Sequence, residues 1–228
     1  MATLYVVATP IGNLDDLSMR AVAVLKGVDG VVCEDTRVTA KLLAHIEVKK
    51  SLYAWHQRSP QAVADKVVSL LGEGQNLALV SDAGTPGIND PGGILVASAL
   101  KHGHTVVPIP GANAAITALS VSGFPAEQFR YLGFVPHKKG RNTFFQELVT
   151  MPEALIFYEA KFRIVKALTQ LRDEFVKAGQ QDRPIVVARE ITKLYETFAR
   201  GTADEVLRQV SEGQVLGEFV VVVSPWRM

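Results

Sequence analysis

The first half of this 228-residue chain alternates short apolar runs with segments of helical periodicity, and that alternation limits the folds open to it. Short apolar runs bounded by turn residues indicate buried strands, and apolar residues spaced three or four apart indicate helices. Strands that alternate with helices favour a mainly parallel sheet covered on both faces. The expected strands are residues 4–8, 28–33, 51–55, 76–81 and 105–109, and the expected helices are 17–26, 37–45, 60–71 and 92–101.

The second half has a different order of elements. Several strands there follow one another with little between them, which predicts a mixed sheet with antiparallel edges. The expected strands are residues 131–134, 155–158, 185–189, 194–198 and 218–223, and the expected helices are 112–120, 141–150, 162–176 and 203–211. Prolines and a glycine crowd into residues 108–111 and mark a hinge. The sequence therefore predicts an α/β fold with two α/β domains, residues 1–110 and 111–228.

Composition narrows the cellular setting and the manner of ligand binding. Lys plus Arg number 24 and Asp plus Glu number 23, so a nucleic acid would have to be recognised by local patches rather than by bulk charge. The single cysteine, Cys33, cannot form an internal disulfide, which fits a reducing compartment. The sequence shows neither a signal peptide nor an apolar run of the roughly 20 residues that a membrane span needs. We expect a cytoplasmic protein without a membrane partner.

Three loops rich in glycine and proline follow predicted strands, namely residues 9–13, 81–92 and 108–113. Open α/β sheets bind ligands at the carboxyl ends of their strands, so these loops are candidate ligand sites as well as ordinary turns. Asp82 comes directly after a strand, where its carboxylate can accept hydrogen bonds from ribose or amino groups. Asp90 has a second reading as the cap of the next helix. Neither the dinucleotide fingerprint nor the Walker A motif is present, which disfavours nicotinamide and ATP sites.

A second polar cluster, residues 33–39, follows the second strand. Asp35 or Thr36 is suited to cap the next helix. Glu34 or Asp35 could accept a hydroxyl proton as a general base, and Arg37 could bind a phosphate through two hydrogen bonds. We therefore name Glu34, Asp35 and Arg37 as candidate catalytic residues.

Basic residues recur in the second half, at residues 137–141 and again at Lys161, Arg163 and Lys166. Such residues can bind phosphates, although they also occur as ordinary solvated side chains. No spacing of His, Cys and acidic residues resembles a metal site, so no metal is expected.

Several motifs recur together and in order across nearly the whole chain: residues 9–14, 33–37, 81–92 and 108–111, followed by 115–120, 156–159 and 187–193. In this combination the sequence resembles the ribosomal RNA small-subunit methyltransferase I family of the tetrapyrrole methylase superfamily. Members of that family methylate the ribose 2′-oxygen of a cytidine in the decoding centre.

The resemblance implies two α/β domains of the tetrapyrrole methylase type, a homodimer, and S-adenosylmethionine bound in the cleft between the domains. The implied substrate is small-subunit ribosomal RNA, free or in the assembled subunit. The residues implied to bind the cofactor are Pro10, Ser81, Asp82, Ala83, Thr85, Asn113, Ala114, Tyr158, Glu159 and Ala188. With that donor, Glu34 or Asp35 would serve as base for in-line methyl transfer and Arg37 would position a phosphate.

The sequence also departs from the family pattern. Ala160, Lys161 and Phe162 stand where the family usually has a serine, a variable residue and a histidine. Two alternative functions also stay open. One is a tetrapyrrole C-methyltransferase with the same cofactor and fold, and the other is a non-catalytic module that binds S-adenosylmethionine or RNA.

Overall fold

The structure is a computed structural model that describes residues 2–56, 61–213 and 215–226. Pro60, expected at the start of a helix, lies outside these ranges. The chain separates into two compact units, unit 1 (Met1–Asn113) and unit 2 (Ala114–Met228).

Unit 1 contains a five-stranded parallel sheet with the order β3-β2-β4-β1-β5. Its elements are β1 (Thr3–Val7), α1 (Met19–Gly27), β2 (Gly30–Cys33), α2 (Thr36–His45), β3 (Ser51–Ala54), α3 (Gln61–Gly72), β4 (Leu77–Leu79), α4 (Gly92–Lys101) and β5 (Thr105–Ile109). The parallel sheet predicted for the first half is thus confirmed.

Helices cover both faces of this sheet because its strands are apolar on both sides. On one face Leu4 and Leu79 pack with Leu95 of α4 in a cluster that also includes α3. On the other face Val7 and Val31 pack in a cluster with α1 and α2. A helix expected at residues 17–26 begins only at Met19, because the Ser18 side chain caps it by accepting a hydrogen bond from the Ala21 N–H at 3.1 Å.

Unit 2 contains a mixed sheet with the order β6-β7-β10-β8-β9. Its elements are α5 (Ala114–Ser120), β6 (Phe129–Phe134), α6 (Arg141–Leu148), β7 (Ala154–Ala160), α7 (Ile164–Lys177), β8 (Pro184–Arg189), β9 (Thr197–Thr202), α8 (Ala203–Glu212) and β10 (Glu218–Val223). β6 and β7 are parallel, and the other neighbouring pairs are antiparallel. This arrangement confirms the mixed sheet.

One strand of unit 2 was placed too early by the sequence pattern. Residues 194–198 were expected to be extended, but β9 begins at Thr197 and residues 190–196 form a folded loop. Glu190 and Thr192 adopt left-handed backbone conformations there, with φ of 51° and 67°. A turn follows, in which the Glu196 N–H donates to the Lys193 carbonyl at 3.1 Å, so residues 194–196 are not extended and the prediction for the beginning of this strand was wrong.

Candidate functional site

The loops that leave β1 and β4 are joined by backbone hydrogen bonds in both directions. The Thr9 N–H donates to the Gly84 carbonyl at 2.9 Å, and the Gly84 N–H donates to the Thr9 carbonyl at 3.1 Å. The buried Thr9 hydroxyl also donates to the Ser81 carbonyl at 3.0 Å, and the Ser81 hydroxyl donates to the Gly84 carbonyl at 3.0 Å. Thr9 lies in a predicted ligand loop but was not among the residues named as binding the cofactor. Its position, a hydroxyl immediately after a buried strand and before Pro10, was the available signal.

β1 and β4 are also neighbours in the sheet, and the connections that leave them run to opposite sides of it. The connection from β1 leads to β2 on one side, whereas the connection from β4 leads to β5 on the other. Such a switch point opens a crevice at the carboxyl ends of the two strands, where ligands bind in open α/β sheets.

The loop after β5 joins the same group. The Thr85 hydroxyl donates to the Ala112 carbonyl at 3.1 Å. Gly111 lies so close to Ala8 that a Cβ built on the glycine would be 2.9 Å from the Ala8 Cβ, so only glycine fits without a shift. The structure therefore brings together the three loops that were predicted from sequence.

Asp90 organises the loop of residues 81–92 from within. Its carboxylate accepts hydrogen bonds from the Gly87 N–H at 2.9 Å and from the Gly92 N–H at 2.7 Å. The indole N–H of Trp55 donates to the Pro91 carbonyl at 3.0 Å. Asp90 thus shapes the loop, whereas Asp82 is exposed to solvent.

Asp35 is the N-cap of α2 and is paired with Arg37. Its carboxylate accepts a hydrogen bond from the Arg37 N–H at 2.8 Å and forms an ion pair with Arg37 Nη2 at 2.6 Å. These contacts with Arg37 lower the pKa of Asp35 to about 2 and raise the pKa of Arg37. So acidic a carboxyl is a weak base. The Arg37 side chain remains 86% exposed, so it can still contact an anion.

Glu34 differs sharply from its neighbour. It is exposed, and no described residue donates a hydrogen bond to its carboxylate. Partial desolvation raises the pKa of Glu34, repulsion from Asp82 and Asp90 raises it further, and His56 opposes the shift. Of the two adjacent carboxylates, Glu34 is therefore the stronger base and the one free to accept a proton.

In unit 2, Tyr158 and Ala188 lie in one row of the sheet. Both pair with Val220, Tyr158 across the β7–β10 ladder and Ala188 across the β10–β8 ladder. The Tyr158 hydroxyl accepts a hydrogen bond from the Ala115 N–H at 3.0 Å and so holds the first turn of α5 on β7. Burial raises the pKa of Tyr158, which keeps the phenol protonated at neutral pH.

Glu159 is engaged entirely within unit 2. Its side chain is fully buried and binds Arg141 Nη1 at 3.0 Å and Arg163 Nη2 at 2.7 Å, and it also accepts from the Ala160 N–H at 2.8 Å. Arg141, which the sequence places in a basic stretch, is only 5% exposed. Both carboxylate oxygens have donors, so the Glu159 side chain is occupied within unit 2.

Two further observations concern metal ions and membranes. Within residues 2–56, 61–213 and 215–226, no three His, Cys, Asp or Glu side chains are grouped so that they could hold a metal ion. Among the helices of the same residues, none combines the length and the apolar character that a membrane crossing demands.

Both the sequence and the fold match known proteins. Residues 3–207 match the family described as Tetrapyrrole (Corrin/Porphyrin) Methylases. A protein named ribosomal RNA small subunit methyltransferase I from Halalkalibacterium halodurans is 45% identical over 97% of this chain and 75% of its own. Its namesake from Xylella fastidiosa is 47% identical over 97% and 81%. The crystal structure of uroporphyrin-III-C-methyltransferase from Thermus thermophilus superposes with a TM-score of 0.66 and 19% identity, covering 98% of this chain and 94% of the other, which shows the shared fold.

Proposed function

This chain belongs to the ribosomal RNA small subunit methyltransferase I family of tetrapyrrole methylases, and from that premise we propose that it methylates small-subunit ribosomal RNA with S-adenosylmethionine as donor. The observation that carries the proposal is the position of Glu34, an available base beside Asp82 on loops gathered at one edge of the sheet. Identity above 40% over nearly the whole chain supports the RNA acceptor.

The unit 1 loops suit a cationic, ribose-containing donor. Asp82 Oδ1 accepts a hydrogen bond from the Asp35 N–H, and no described residue donates to Oδ2, which is available to a ribose hydroxyl. The carboxylates of Glu34, Asp82 and Asp90 give the loops a negative potential that favours a sulfonium ion. The proposed contributors from unit 1 are Pro10, Ser81, Asp82, Ala83, Thr85 and Asn113, and those from unit 2 are Ala114, Tyr158, Glu159 and Ala188.

Bound S-adenosylmethionine would supply an electrophilic methyl group. A ribose hydroxyl is a weak nucleophile, so removal of its proton is the task left to the protein. Glu34 is placed to accept that proton, while the bound donor would give its methyl group to the oxygen with cleavage of the S–CH3 bond and would leave as a neutral thioether. Its raised pKa makes Glu34 a better proton acceptor than Asp35, because Arg37 lowers the pKa of Asp35 to about 2.

Asp35 and Arg37 act in positioning. Asp35 fixes the start of α2 and the orientation of the Arg37 guanidinium. Arg37, exposed at the same edge, binds a phosphate of the RNA and so places the acceptor ribose near Glu34.

The finer features of the proposal come from the family resemblance. We propose that the acceptor is the 2′-oxygen of a cytidine in the decoding centre, and that the enzyme acts as a cytoplasmic homodimer. The fold alone does not distinguish an RNA acceptor from a tetrapyrrole, because an enzyme of uroporphyrin methylation shares it at 19% identity. The much higher identity to the ribosomal RNA enzymes supports RNA.

The test is transfer of labelled methyl groups from S-adenosylmethionine to purified small ribosomal subunits that lack 2′-O-methylation. Nuclease mapping then identifies the labelled nucleotide. We expect label on one ribose in the decoding region. Transfer to uroporphyrinogen instead of RNA would establish the tetrapyrrole alternative, and donor binding without transfer to either acceptor would establish a non-catalytic module.

A further inference from the structure

Two loops of unit 2 bring basic side chains to one edge of its sheet. β6 and β7 are parallel, so their carboxyl ends lie at the same edge. Residues 135–140 follow β6 and residues 161–163 follow β7. Lys138 and Lys139 of the first loop are exposed, and Lys161 of the second is half-exposed.

This edge has an excess of positive charge that the whole chain lacks. Residues 135–146 and 160–172 contain no aspartate or glutamate, although the chain as a whole has 23 acidic and 24 basic residues. Of the acids beside these segments, Glu159 is buried and paired with two arginines, whereas Glu218, opposite Ala160 in the β7–β10 ladder, is exposed and bound to Lys193 Nζ at 2.9 Å. The lysines therefore face solvent without a nearby exposed carboxylate from either segment.

Glu159 fixes the two loops relative to each other. It binds Arg141, which follows the first loop and whose Nη1 also reaches the Pro136 carbonyl at 3.4 Å. It binds Arg163 of the second loop, whose Nη1 reaches the Val135 carbonyl at 3.5 Å. A surface held in place by buried ion pairs needs little ordering when a partner binds, which favours affinity.

An exposed aromatic ring lies next to one of these lysines. The Phe162 residue is 87% exposed, and Lys161 Nζ lies 4.9 Å from the centre of its ring. Phe134, at the end of β6, is 54% exposed. Cations combined with an exposed aromatic side chain are typical of surfaces that bind single-stranded nucleic acid, with phosphates on the cations and a base stacked on the ring.

We propose that the surface formed by Lys138, Lys139, Lys161 and Phe162 binds a single-stranded segment of the RNA substrate. The three lysines contact phosphates, and Phe162 stacks on an unpaired base. The inference rests on the proposed function, because the RNA is the substrate named there. It also explains how a chain of nearly neutral charge holds RNA, since the positive charge is concentrated where the strand lies.

The test compares full-length variants in binding to small ribosomal subunits and to protein-free small-subunit RNA, across a range of KCl concentrations. The combined variant K138A/K139A/K161A removes the lysines. The matched control, K26A/K49A/K101A, removes three exposed lysines that precede β2, β3 and β5. They lie at the edge of the unit 1 sheet where the strands begin, opposite to the edge that carries the candidate loops. Phe162→Ala removes the ring and Phe162→Trp keeps an aromatic surface. S-adenosylmethionine binding is measured for every variant.

We expect the combined variant to bind both forms of RNA about tenfold or more weakly, with a slope of log affinity against log salt smaller by about 2. Phe162→Ala lowers RNA affinity about fivefold or more, and Phe162→Trp retains it. The control variant binds RNA like the wild type, and donor binding is unchanged throughout.

Unchanged RNA binding by both the combined variant and Phe162→Ala would overturn this inference while leaving the proposed methyl transfer intact. Weaker binding to assembled subunits with unchanged binding to protein-free RNA would also overturn it, because the partner would then be a ribosomal protein. The two proposals can also fail separately in the other direction. If the wild type transfers no methyl group to RNA but the variants still lose RNA binding, the surface is supported and the proposed function is rejected.

Discussion

The backbone N–H of Asp35 donates a hydrogen bond to Oδ1 of Asp82 at 2.9 Å, which joins the loop after β2 to the loop after β4. Because Glu34 immediately precedes Asp35, this bond holds Glu34 in the field of the Asp82 carboxylate. The proposed base and the proposed donor loop are thus coupled electrostatically.

Replacement of Glu34 by glutamine removes the proposed proton acceptor while preserving the size of the side chain. We expect kcat to fall about 10²-fold or more, since general bases typically contribute about 10²–10⁴-fold. Donor affinity, measured by calorimetry, falls much less than kcat, because Asp82 and Asp90 keep most of the negative potential of the loops. Full turnover by Glu34→Gln would reject this residue as the base.

The pH dependence of activity should respond to Asp82. Glu34 must be deprotonated to act, so activity rises with pH through its pKa, which Asp82 helps to raise. Asp82→Asn keeps an oxygen acceptor for the Asp35 N–H but removes the charge, so the acidic limb of the kcat profile moves to lower pH. Glu73→Gln, at an exposed residue directly after the end of α3, is the control and leaves the limb in place. If Asp82→Asn does not move the acidic limb, the limb does not report the pKa of Glu34 or Asp82 does not influence that pKa.

Asp35 contributes a pH-dependent part of stability. Its pKa is about 2 in the folded chain and about 3.9 in an unfolded one. The stabilisation is therefore present above about pH 4 and is lost as pH falls towards 2. Asparagine is an equally good helix cap but cannot form the ion pair. We expect Asp35→Asn to lower the urea midpoint at neutral pH, with the difference from wild type shrinking through that acidic window.

Glu159 is the centre of a buried ion-pair network, so its removal leaves arginine charge uncompensated. We expect Glu159→Gln to reduce the free energy of unfolding by about 3–5 kcal/mol, as is typical when one partner of a buried pair is removed. Asp173→Asn, which breaks a solvent-exposed pair with Arg172, costs less than about 1 kcal/mol. Urea unfolding of both variants gives the comparison, and equal losses would contradict the assigned role of the network.

Gly84 and Gly74 form a matched pair for testing the loop after β4. Both have positive φ, 85° and 90°, so alanine at either position costs about 1–2 kcal/mol of stability. A Cβ on Gly84 would make ordinary contacts, 3.4 Å from Ile11 and 3.6 Å from the Ala112 carbonyl, and one on Gly74 meets nothing within 4 Å, so backbone strain is the main effect at both positions. Because only Gly84 belongs to the proposed donor loop, we expect Gly84→Ala alone to weaken donor binding, about tenfold by calorimetry. Equal donor affinity in the two variants would remove this loop from the donor site.

The sequence predicted most of unit 1, because its buried parallel strands and their helices repeat a strong local pattern. The strand 105–109 and the helix 92–101 were predicted with the bounds that the structure shows. The start of β9 was missed, since the turn at residues 193–196 contains neither glycine nor proline and carries no local signal. Hydrophobic periodicity reports burial along a segment and is silent on such backbone reversals.

The candidate site was predicted in outline, although the roles of its members were not. Sequence position placed Glu34 and Asp35 side by side as equivalent bases, and only the contact with Arg37 separates them. Arg141 and Glu159 lie 18 residues apart and are joined by the parallel pairing of β6 and β7, which a local pattern does not reveal. Long-range partners decide which charged side chain is available, so their assignment needs the fold.

The two-way hydrogen bonding of Thr9 and Gly84 forms an antiparallel bridge just beyond the carboxyl ends of the parallel strands β1 and β4, and it ties together the loops that are proposed to hold the donor. Separating these residues breaks both backbone hydrogen bonds next to the centre of the sheet. Their amides should therefore exchange with deuterium at the slow rate of the sheet centre, with or without donor. Because the loop is tied to the centre of the sheet, it should unfold together with the sheet on heating, so donor binding persists until unit 1 itself unfolds.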